Sequence, residues 1–348
     1  MRHQKKRWFA ALLALCMLLS ILPSTSLAFS ESEETWSGNR RNQTIDGGTH
    51  TITLSNLTID SPGVEKSAID ITGNADVTFI LEGNNTLRGY RNHPAIWVES
   101  GSSVTFEGNG LLEASAGGAS IGLGAAGIGG GYGASSNFGN ITINGGTIIA
   151  QGSGGGAGIG GGYEVGSGTV TGNVTINGGY VTAIGGSSGS TGGAGIGSGE
   201  NANYSGTVTI NGGVVYAEGG ADSTSIGRGN RAIGTSDNGA FTTGTGGNAV
   251  IVAPDGIGDP SGFADWDGIF ISYEGNNTSA TVGEDGTVHL NDTEANIQVW
   301  GEPVIDYPLV VESGTELRVV QNDRNYAYAT LEIGQDGKLT NNGTVTVD

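Results

Sequence analysis

One block of sequence occurs three times, almost unchanged, in the middle of the chain. It reads GNITINGGTIIAQG from Gly139, GNVTINGGYVTAIG from Gly172 and GTVTINGGVVYAEG from Gly206. The shared asparagine falls at positions 144, 177 and 211, so the period is 33 and then 34 residues. A period of this length indicates stacked structural units, each of which buries its apolar face only against its neighbours. Such an architecture disfavours a compact catalytic pocket.

The repeat extends beyond its clearest copies. Six segments of a β-branched residue, a threonine and an apolar residue begin at Ile52, Val77, Val104, Ile141, Val174 and Val208. Period-2 alternation puts the apolar residues on one face and the threonines, from Thr53 to Thr209, on the other. A second segment follows each turn, with inward residues predicted at Leu87, Leu112, Ile148, Val181 and Val215. A third segment precedes the next copy and predicts an inward column of Ile69, Ile96, Ile128, Ile159, Ile196 and Ile226.

Three short strands per repeat describe one coil of a β-solenoid. We therefore predict an all-β fold, a right-handed parallel β-helix (β-solenoid) with a C-terminal β extension or cap. The right hand is expected because parallel crossover connections are overwhelmingly right-handed. Residues 45–246 hold about six coils, and the less regular residues 247–348 form a β-rich continuation or cap. A cap is expected because the end of a solenoid exposes strand edges.

The NGG motif of each copy is interpreted as a corner between two strands. Asparagine and glycine tolerate the positive φ that a sharp corner demands. Stacked Asn144, Asn177 and Asn211 are predicted to form a structural ladder of side-chain amides along this corner. Ligand binding by the same column is the alternative.

The first 28 residues are predicted to be a signal peptide. Arg2, Lys5, Lys6 and Arg7 precede an apolar run over 8–22, and Ser26-Leu27-Ala28 offers a cleavage site. The run is too short to favour a transmembrane helix. We expect a secreted, extracellular protein. Association with the cell surface is an alternative that the sequence leaves open. Residues 29–44 form an N-terminal lead-in.

Composition narrows the partners of the mature chain. Signal cleavage removes four of 14 basic residues and none of the 34 acidic ones, which leaves a net charge of −24. This charge opposes nucleic acid and anionic lipid as partners. We expect no membrane insertion after cleavage. The one cysteine, Cys16, leaves with the signal, so neither a disulfide nor a thiol nucleophile is expected.

No motif of a familiar catalytic class is present in the sequence, and no catalytic residue is assigned. The alternative is a polysaccharide lyase, which needs a base and a cation. Its candidate cluster is Arg88, Arg91 and His93, near Glu82, Asp70 and Glu99. The simpler interpretation of these residues is a solvated, charged edge of a coil.

Calcium is the one candidate cofactor, and none is required. Four aspartates in one loop could supply the oxygen ligands that calcium prefers, and they are Asp255, Asp259, Asp265 and Asp267. The loop lacks the EF-hand spacing. The AGIGGG segments also lack the periodic aspartate of calcium-binding nonapeptide repeats.

Outward aromatic residues point to sugar binding. The candidates are Trp97, Tyr132, Tyr163, Tyr180 and Tyr216. Aromatic rings stack on sugar faces, and evenly spaced rings would match a repeating polymer. Trp97 is expected beside a groove of bare backbone, because its column continues as Gly129, Gly160 and Gly197. The alternative is that tyrosine is simply a good strand former on an exposed face.

Three stretches carry a resemblance to a known family. The lines AIDITGNADVTFILEGNNTLRG, AIWVESGSSVTFEGNGLLEA and GNITINGGTIIAQG with GAGIGGG resemble the secreted bacterial carbohydrate-binding β-helix family, which is related in fold to pectate lyases. The closing SGTELRVV and GQDGKLTNNGTVTVD resemble the tail of large glycine-rich surface proteins. The resemblance covers residues 45–348 and implies binding of plant polysaccharides such as cellulose or pectin, with calcium in the coils.

Three functions therefore stand as hypotheses. The first is a non-catalytic module that binds a polysaccharide or cell-surface glycan. The second is a structural or adhesive surface stalk without a specific glycan ligand. The third is a lyase-like enzyme, which has only the analogy of fold behind it.

Overall fold

A computed structural model describes most of the repeat region and scattered strands beyond it. The described residues are 34–60, 66–118, 123–133, 136–165, 168–230, 238–243, 249–258, 268–272, 280–282, 287–290, 296–300, 304–305, 308–313, 316–319, 332–333 and 338–347. The predicted signal peptide, residues 1–28, lies outside them. No α-helix occurs among the described residues, and the fold is all-β as predicted.

The strands of the repeat region are short. They are β1 (Glu34–Asn39), β2 (Gln43–Asp46), β3 (Thr49–Asp60), β4 (Ile69–Thr72), β5 (Asp76–Glu82), β6 (Asn84–Arg88), β7 (Ile96–Val98), β8 (Ser103–Gly108), β9 (Leu111–Ser115), β10 (Ile128–Gly129), β11 (Asn140–Ile143), β12 (Thr147–Gln151), β13 (Ile159–Gly160), β14 (Thr169–Val170), β15 (Val174–Ile176), β16 (Tyr180–Ile184), β17 (Ser187–Ser188), β18 (Thr191–Gly192), β19 (Ile196–Gly197), β20 (Asn203–Ile210), β21 (Gly213–Glu218), β22 (Ile226–Gly227), β23 (Asn238–Thr243) and β24 (Ala249–Val252).

The strands that follow are β25 (Gly268–Ser272), β26 (Ala280–Val282), β27 (Val288–Leu290), β28 (Asn296–Trp300), β29 (Val304–Ile305), β30 (Pro308–Val311), β31 (Glu316–Val319), β32 (Glu332–Ile333), β33 (Lys338–Asn341) and β34 (Thr344–Val347).

Three parallel stacks of strands run the length of the repeat region. The first stack is β3, β5, β8, β11, β15, β20 and β23. The second is the end of β3, then β6, β9, β12, β16, β21 and β24. The third is β2, β4, β7, β10, β13, β19 and β22. One strand of each stack makes one coil, so the chain forms a parallel β-solenoid of about seven turns. We number the coils 1 to 7 by their third-stack strands.

The core fills the space between the stacks. The first stack contributes two inward columns, one running from Val77 to Val208 and one from Phe79 to Ile210, and nearly every member is fully buried. Phe79 and Phe106 contact each other on successive coils, with ring centroids 5.9 Å apart and planes tilted by 34°. β1 pairs in parallel with β3 and adds buried Trp36 to the same core. Because these strands are buried by their stacking neighbours as well as by the core, apolar β-branched residues suit them.

The predicted register is wrong in the first row. Ile52 lies opposite Phe79, and His50 lies opposite Val77, so Thr51 and not Thr53 belongs to the outward threonine column. The sequence pattern was ambiguous because β3 alternates threonine and apolar residues over several positions, and a shift of two keeps every side chain on its face.

The predicted register is also wrong in the second stack at coil 2. Asn85, and not Leu87, lies opposite Leu112, while Leu87 lies opposite Ala114. Asn85 is fully buried in this apolar column. Its Oδ1 accepts from the Leu57 amide at 2.9 Å, and its Nδ2 donates to the carbonyls of Glu82 and Leu111, each at 3.1 Å. The side chain thus satisfies three backbone groups at a corner between coils, which explains a polar residue in the core.

The third stack carries the predicted isoleucine column. Ile69, Ile96, Ile128, Ile159, Ile196 and Ile226 pair in register and are all buried. The residue after each is Gly129, Gly160, Gly197 or Gly227 in coils 4 to 7. Gly160 has φ +135°, and a Cβ on it would lie 1.9 Å from the Gly197 carbonyl oxygen. The coils therefore approach more closely here than any side chain would allow.

Beyond coil 7 the parallel pairing continues for one strand and then reverses. β25 pairs in parallel with β24, and β28 closes on β25 in the antiparallel sense. Val214, Val250 and Val252 face outward from the second stack yet are almost fully buried, and β26 lies against β21 at this end. Outward-facing residues of the second stack are therefore covered at this end.

The last strands form a second, short parallel arrangement. β29 pairs with β32, β30 with β33, and β31 with β34, with partners 28 or 30 residues apart. The spacing and the parallel sense match those of the solenoid coils. Among the residues that the structure describes, no helix has the length and apolar character needed to cross a bilayer.

Replacing Gly160 by alanine is expected to lower the free energy of unfolding by about 2–6 kcal/mol, because a strained φ and overpacking each cost about 1–3 kcal/mol. Urea unfolding followed by circular dichroism measures this. Gly118→Ala is the control, since a Cβ there meets nothing within 4 Å. Equal midpoints for the two variants would contradict the tight approach of the coils.

Asn85→Leu restores the apolar column but leaves three backbone groups unpaired. We expect the free energy of unfolding to fall by about 1–3 kcal/mol despite the added apolar surface. The control is Asn84→Leu, at the exposed neighbouring position, with an expected change within about 0.5 kcal/mol. A leucine at position 85 that leaves stability unchanged would show that the hydrogen bonds of Asn85 are dispensable.

Candidate functional site

The five aromatic residues proposed from the sequence lie in three separate places. Trp97 is on the third stack, Tyr132 and Tyr163 follow the third stack in coils 4 and 5, and Tyr180 and Tyr216 are on the second stack. All five side chains are half-buried. They do not form one continuous row.

Trp97 does not overlook an open groove. It pairs with Asp70 on one side and Gly129 on the other. Gly129, Gly160 and Gly197 are buried, so the groove of bare backbone expected beside Trp97 is closed. The indole Nε1 is also buried, and it has no hydrogen-bond partner.

Tyr132 and Tyr163 stack on each other. Their ring centroids lie 5.7 Å apart with planes 22° from parallel, one coil above the other. Asn201 Nδ2 donates to the Tyr163 hydroxyl at 2.9 Å. In the next coil, the position equivalent to Tyr163 is occupied by Glu200. Each ring thus covers one face of the other.

Tyr180 and Tyr216 lie on the outer face of the second stack. Tyr180 continues a column that runs through Asn84, Leu111 and Thr147 in coils 2 to 4. Tyr216 is on the next strand, opposite Thr182, and its hydroxyl donates to Glu218 Oε2 at 2.7 Å. The two rings are therefore offset diagonally and lie on one face.

A hollow lies on this face, and one residue of its lining, Thr147, is the strand partner of Tyr180. Its volume is about 330 Å³, and its lining is Gly83, Asn84, Asn109, Gly110, Leu111 and Thr147. The side chains of Asn84 and Asn109 are exposed, while those of Leu111 and Thr147 are half-buried. Such a lining combines amide and hydroxyl groups with a small apolar floor, next to an aromatic ring.

The hollow arises from a step in the corner between the first and second stacks. Four residues separate Phe106 from Leu111 in coil 3, but only three separate the paired Ile143 from Thr147 in coil 4. Coil 2 has the longer corner as well, between Phe79 and Asn84. Sequence reasoning missed the hollow. The signal that would have found it is the extra residue before the second strand in coils 2 and 3.

The corner asparagines are hydrogen-bonded in series. Asn211 Nδ2 donates to Asn177 Oδ1 at 2.7 Å, and Asn177 Nδ2 donates to Asn144 Oδ1 at 2.8 Å. Asn144 Nδ2 then donates to Glu107 Oε1 at 3.3 Å. An ionised carboxylate can only accept, so Glu107 fixes the direction of the whole series. The aligned amide dipoles present their positive end to this carboxylate.

A second pair of hydrogen-bonded amides, which the sequence reasoning missed, lies at the start of two first-stack strands, β11 and β15. Asn173 Nδ2 donates to Asn140 Oδ1 at 3.0 Å, and the Thr207 amide donates to Asn173 Oδ1 at 3.0 Å. Its signal was the GN that precedes the repeated strand in two of the three copies.

The charged cluster proposed for a lyase is spread over several surfaces. Arg88 ends β6 and Glu82 ends β5, whereas Arg91 and His93 lie in the turn before β7. The Arg91 guanidinium sits 5.4 Å from the Tyr90 ring centroid. Glu99 Oε2 accepts from the Gly73 amide at 2.8 Å.

Asp70 is the buried carboxyl of this set. Burial raises the pKa of its carboxyl, and this effect outweighs the opposing influence of the nearby Ser67 hydroxyl and of the charges of Lys66 and His93. A carboxyl of this kind is protonated more readily than an exposed one.

Of the proposed calcium ligands, only Asp255 lies within the described residues; Asp259, Asp265 and Asp267 lie outside. Asp255 Oδ2 accepts from the Gly219 amide at 2.9 Å and from Ser225 Oγ at 3.4 Å. Burial, together with the charge of Glu218, raises the pKa of Asp255. Within the described part of the chain, no three His, Cys, Asp or Glu side chains are grouped as metal ligands would be.

Comparisons of this chain with family models, with curated proteins and with solved structures found no match.

The raised pKa of Asp70 predicts a pH dependence of stability. The folded protein holds this proton more tightly than the unfolded chain, so the free energy of unfolding falls as pH rises from below 3.8 through the raised pKa, and it stays lower above that. Asp70→Asn is expected to remove this part of the fall and to be at least as stable as wild type at neutral pH. Urea unfolding between pH 3 and 7 measures it. A variant that loses stability with pH as steeply as wild type would contradict the assignment.

Proposed function

We propose that this protein is a secreted, non-catalytic polysaccharide-binding β-solenoid that acts at or near the bacterial cell surface. We place it with the bacterial carbohydrate-binding β-helix proteins, as the repeat lines suggest. Its partner is a polysaccharide or cell-surface glycan, and it requires no cofactor.

One observation carries the proposal. The hollow of about 330 Å³ and the ring of Tyr180 lie in line along the solenoid axis on the outer face of the second stack. Sugar sites combine a few placed polar groups with an aromatic surface. Pockets for small ligands have volumes from about 300 Å³ upward, and the hollow falls at the lower end of that range. A polymer lying along the axis would reach the hollow, Tyr180 and then Tyr216 in turn.

A structural stalk is the second candidate. It is favoured by the series Asn144–Asn177–Asn211 and by the close glycine packing of the third stack, both of which link successive coils. These features stiffen the solenoid whether or not it binds a glycan, so the two functions are compatible.

Tyr180→Ala tests the proposal. The mature protein is incubated with insoluble cellulose, pectin and peptidoglycan, with and without calcium, and the retained fraction is measured. We expect retention on at least one polymer, and an affinity about tenfold lower for the variant, as for an aromatic residue central to a binding surface.

The matched control is Tyr132→Ala, which removes a half-buried tyrosine away from the hollow and is expected to bind as wild type does. Wild-type protein that no polymer retains would reject glycan binding and favour the stalk.

A further inference from the structure

We infer that the hollow beside Tyr180 accepts uncharged sugar residues, so the ligand is a neutral polysaccharide and not a polyuronate. This inference rests on the proposed function and names the ligand class of the same site.

The lining of the hollow carries no charge. Its polar groups are the amides of Asn84 and Asn109 and the hydroxyl of Thr147, together with the backbone of Gly83 and Gly110. Amide and hydroxyl groups both donate and accept hydrogen bonds, as sugar hydroxyls do. A uronate carboxylate would instead need a cationic partner to offset its loss of hydration.

Three carboxylates flank the hollow without lining it. Glu82 directly precedes Gly83, Glu107 precedes the corner that holds Asn109, and Glu113 follows Leu111 at the next outward position of β9. All three side chains are exposed.

Two of these carboxylates are held in place. Thr86 Oγ1 donates to Glu113 Oε2 at 3.2 Å, and Asn144 Nδ2 donates to Glu107 Oε1 at 3.3 Å. Their negative charges are therefore fixed at the edge of the hollow.

The negative charge of the surrounding surface also favours a neutral ligand. Arg88, at the far end of β6 from Asn84, is the one cation among residues 80–115 that the second stack places on this outer face. The whole chain has a net charge of −20 with its signal sequence and is more negative without it. A polyanion that approached this face would meet repulsion at the site and across the surface.

The experiment compares matched polymers. Retention of the mature protein is measured on cellulose and mannan, which are neutral, and on immobilised polygalacturonate and alginate, each at low and high salt, with chelator and with calcium. Wild type is expected to bind the best neutral polymer at least about tenfold more tightly than either polyuronate at low salt. Salt should narrow the difference, because it screens exposed charges.

The diagnostic variant replaces the three flanking carboxylates together, as Glu82→Gln, Glu107→Gln and Glu113→Gln. It should narrow the preference to about threefold or less by raising affinity for polyuronate, while retention on the neutral polymer stays as in wild type. Asn109→Ala should weaken neutral binding about fivefold through a lost hydrogen bond.

The outcomes distinguish failure of the inference from failure of the proposed function. Polyuronate binding equal to or tighter than neutral binding, with or without calcium, overturns the inference and leaves the proposed function standing. Neutral binding that Asn109→Ala and Tyr180→Ala both leave unchanged places the ligand elsewhere and also overturns it. If no polymer is retained, the proposed function fails and the inference fails with it.

Discussion

The parallel pairing of each coil with the next is the constraint on which the rest of the structure depends. Because the strands pair in register, each position in a coil becomes a column along the solenoid, and each residue must suit its neighbours above and below. Isoleucine recurs from Ile69 to Ile226 for this reason. The same rule makes a column of amides possible at Asn144, Asn177 and Asn211, where Asn177 accepts a hydrogen bond from one neighbour and donates one to the other. A column of like charges would be unstable in this arrangement, and the sequence places none there.

The glycine content follows from the same constraint. In coils 4 to 7 the third stack is only two residues per strand, and the chain on either side closes back on itself, as the Ala157 amide does on the Gly161 carbonyl at 2.9 Å. Backbones that approach so closely leave no space for Cβ atoms. In coil 3 the same column carries Trp97, so this end of the stack has a different surface. The strand pairing is regular along the solenoid, but the residue type in this third-stack column changes from tryptophan in coil 3 to glycine in coils 4 to 7.

The sequence predicted those columns in which residue type and period agree. The third-stack isoleucines follow short motifs of small residues in each coil, and they were placed correctly. The errors at Thr53 and Leu87 share a physical cause: a shift of two residues preserves the inward and outward faces, so alternation cannot detect it. At coil 2 both Leu87 and Asn85 face inward, and the residue that pairs with Leu112 is Asn85, whose polarity hid its position. Its reason for being buried is a set of backbone groups on other strands, which no local pattern records.

The hollow was missed because it depends on a difference between coils and not on a motif within one. The longer corners of coils 2 and 3 meet the shorter NGG corner of coil 4, and the surface steps inward where they meet. Glu107 stands at that step. Its carboxylate ends the amide series of the short corners, while its chain neighbours form the wall of the hollow. The regular part of the corner therefore positions a fixed negative charge at the edge of the irregular part, and the repeat ladder becomes a determinant of what the hollow can accept.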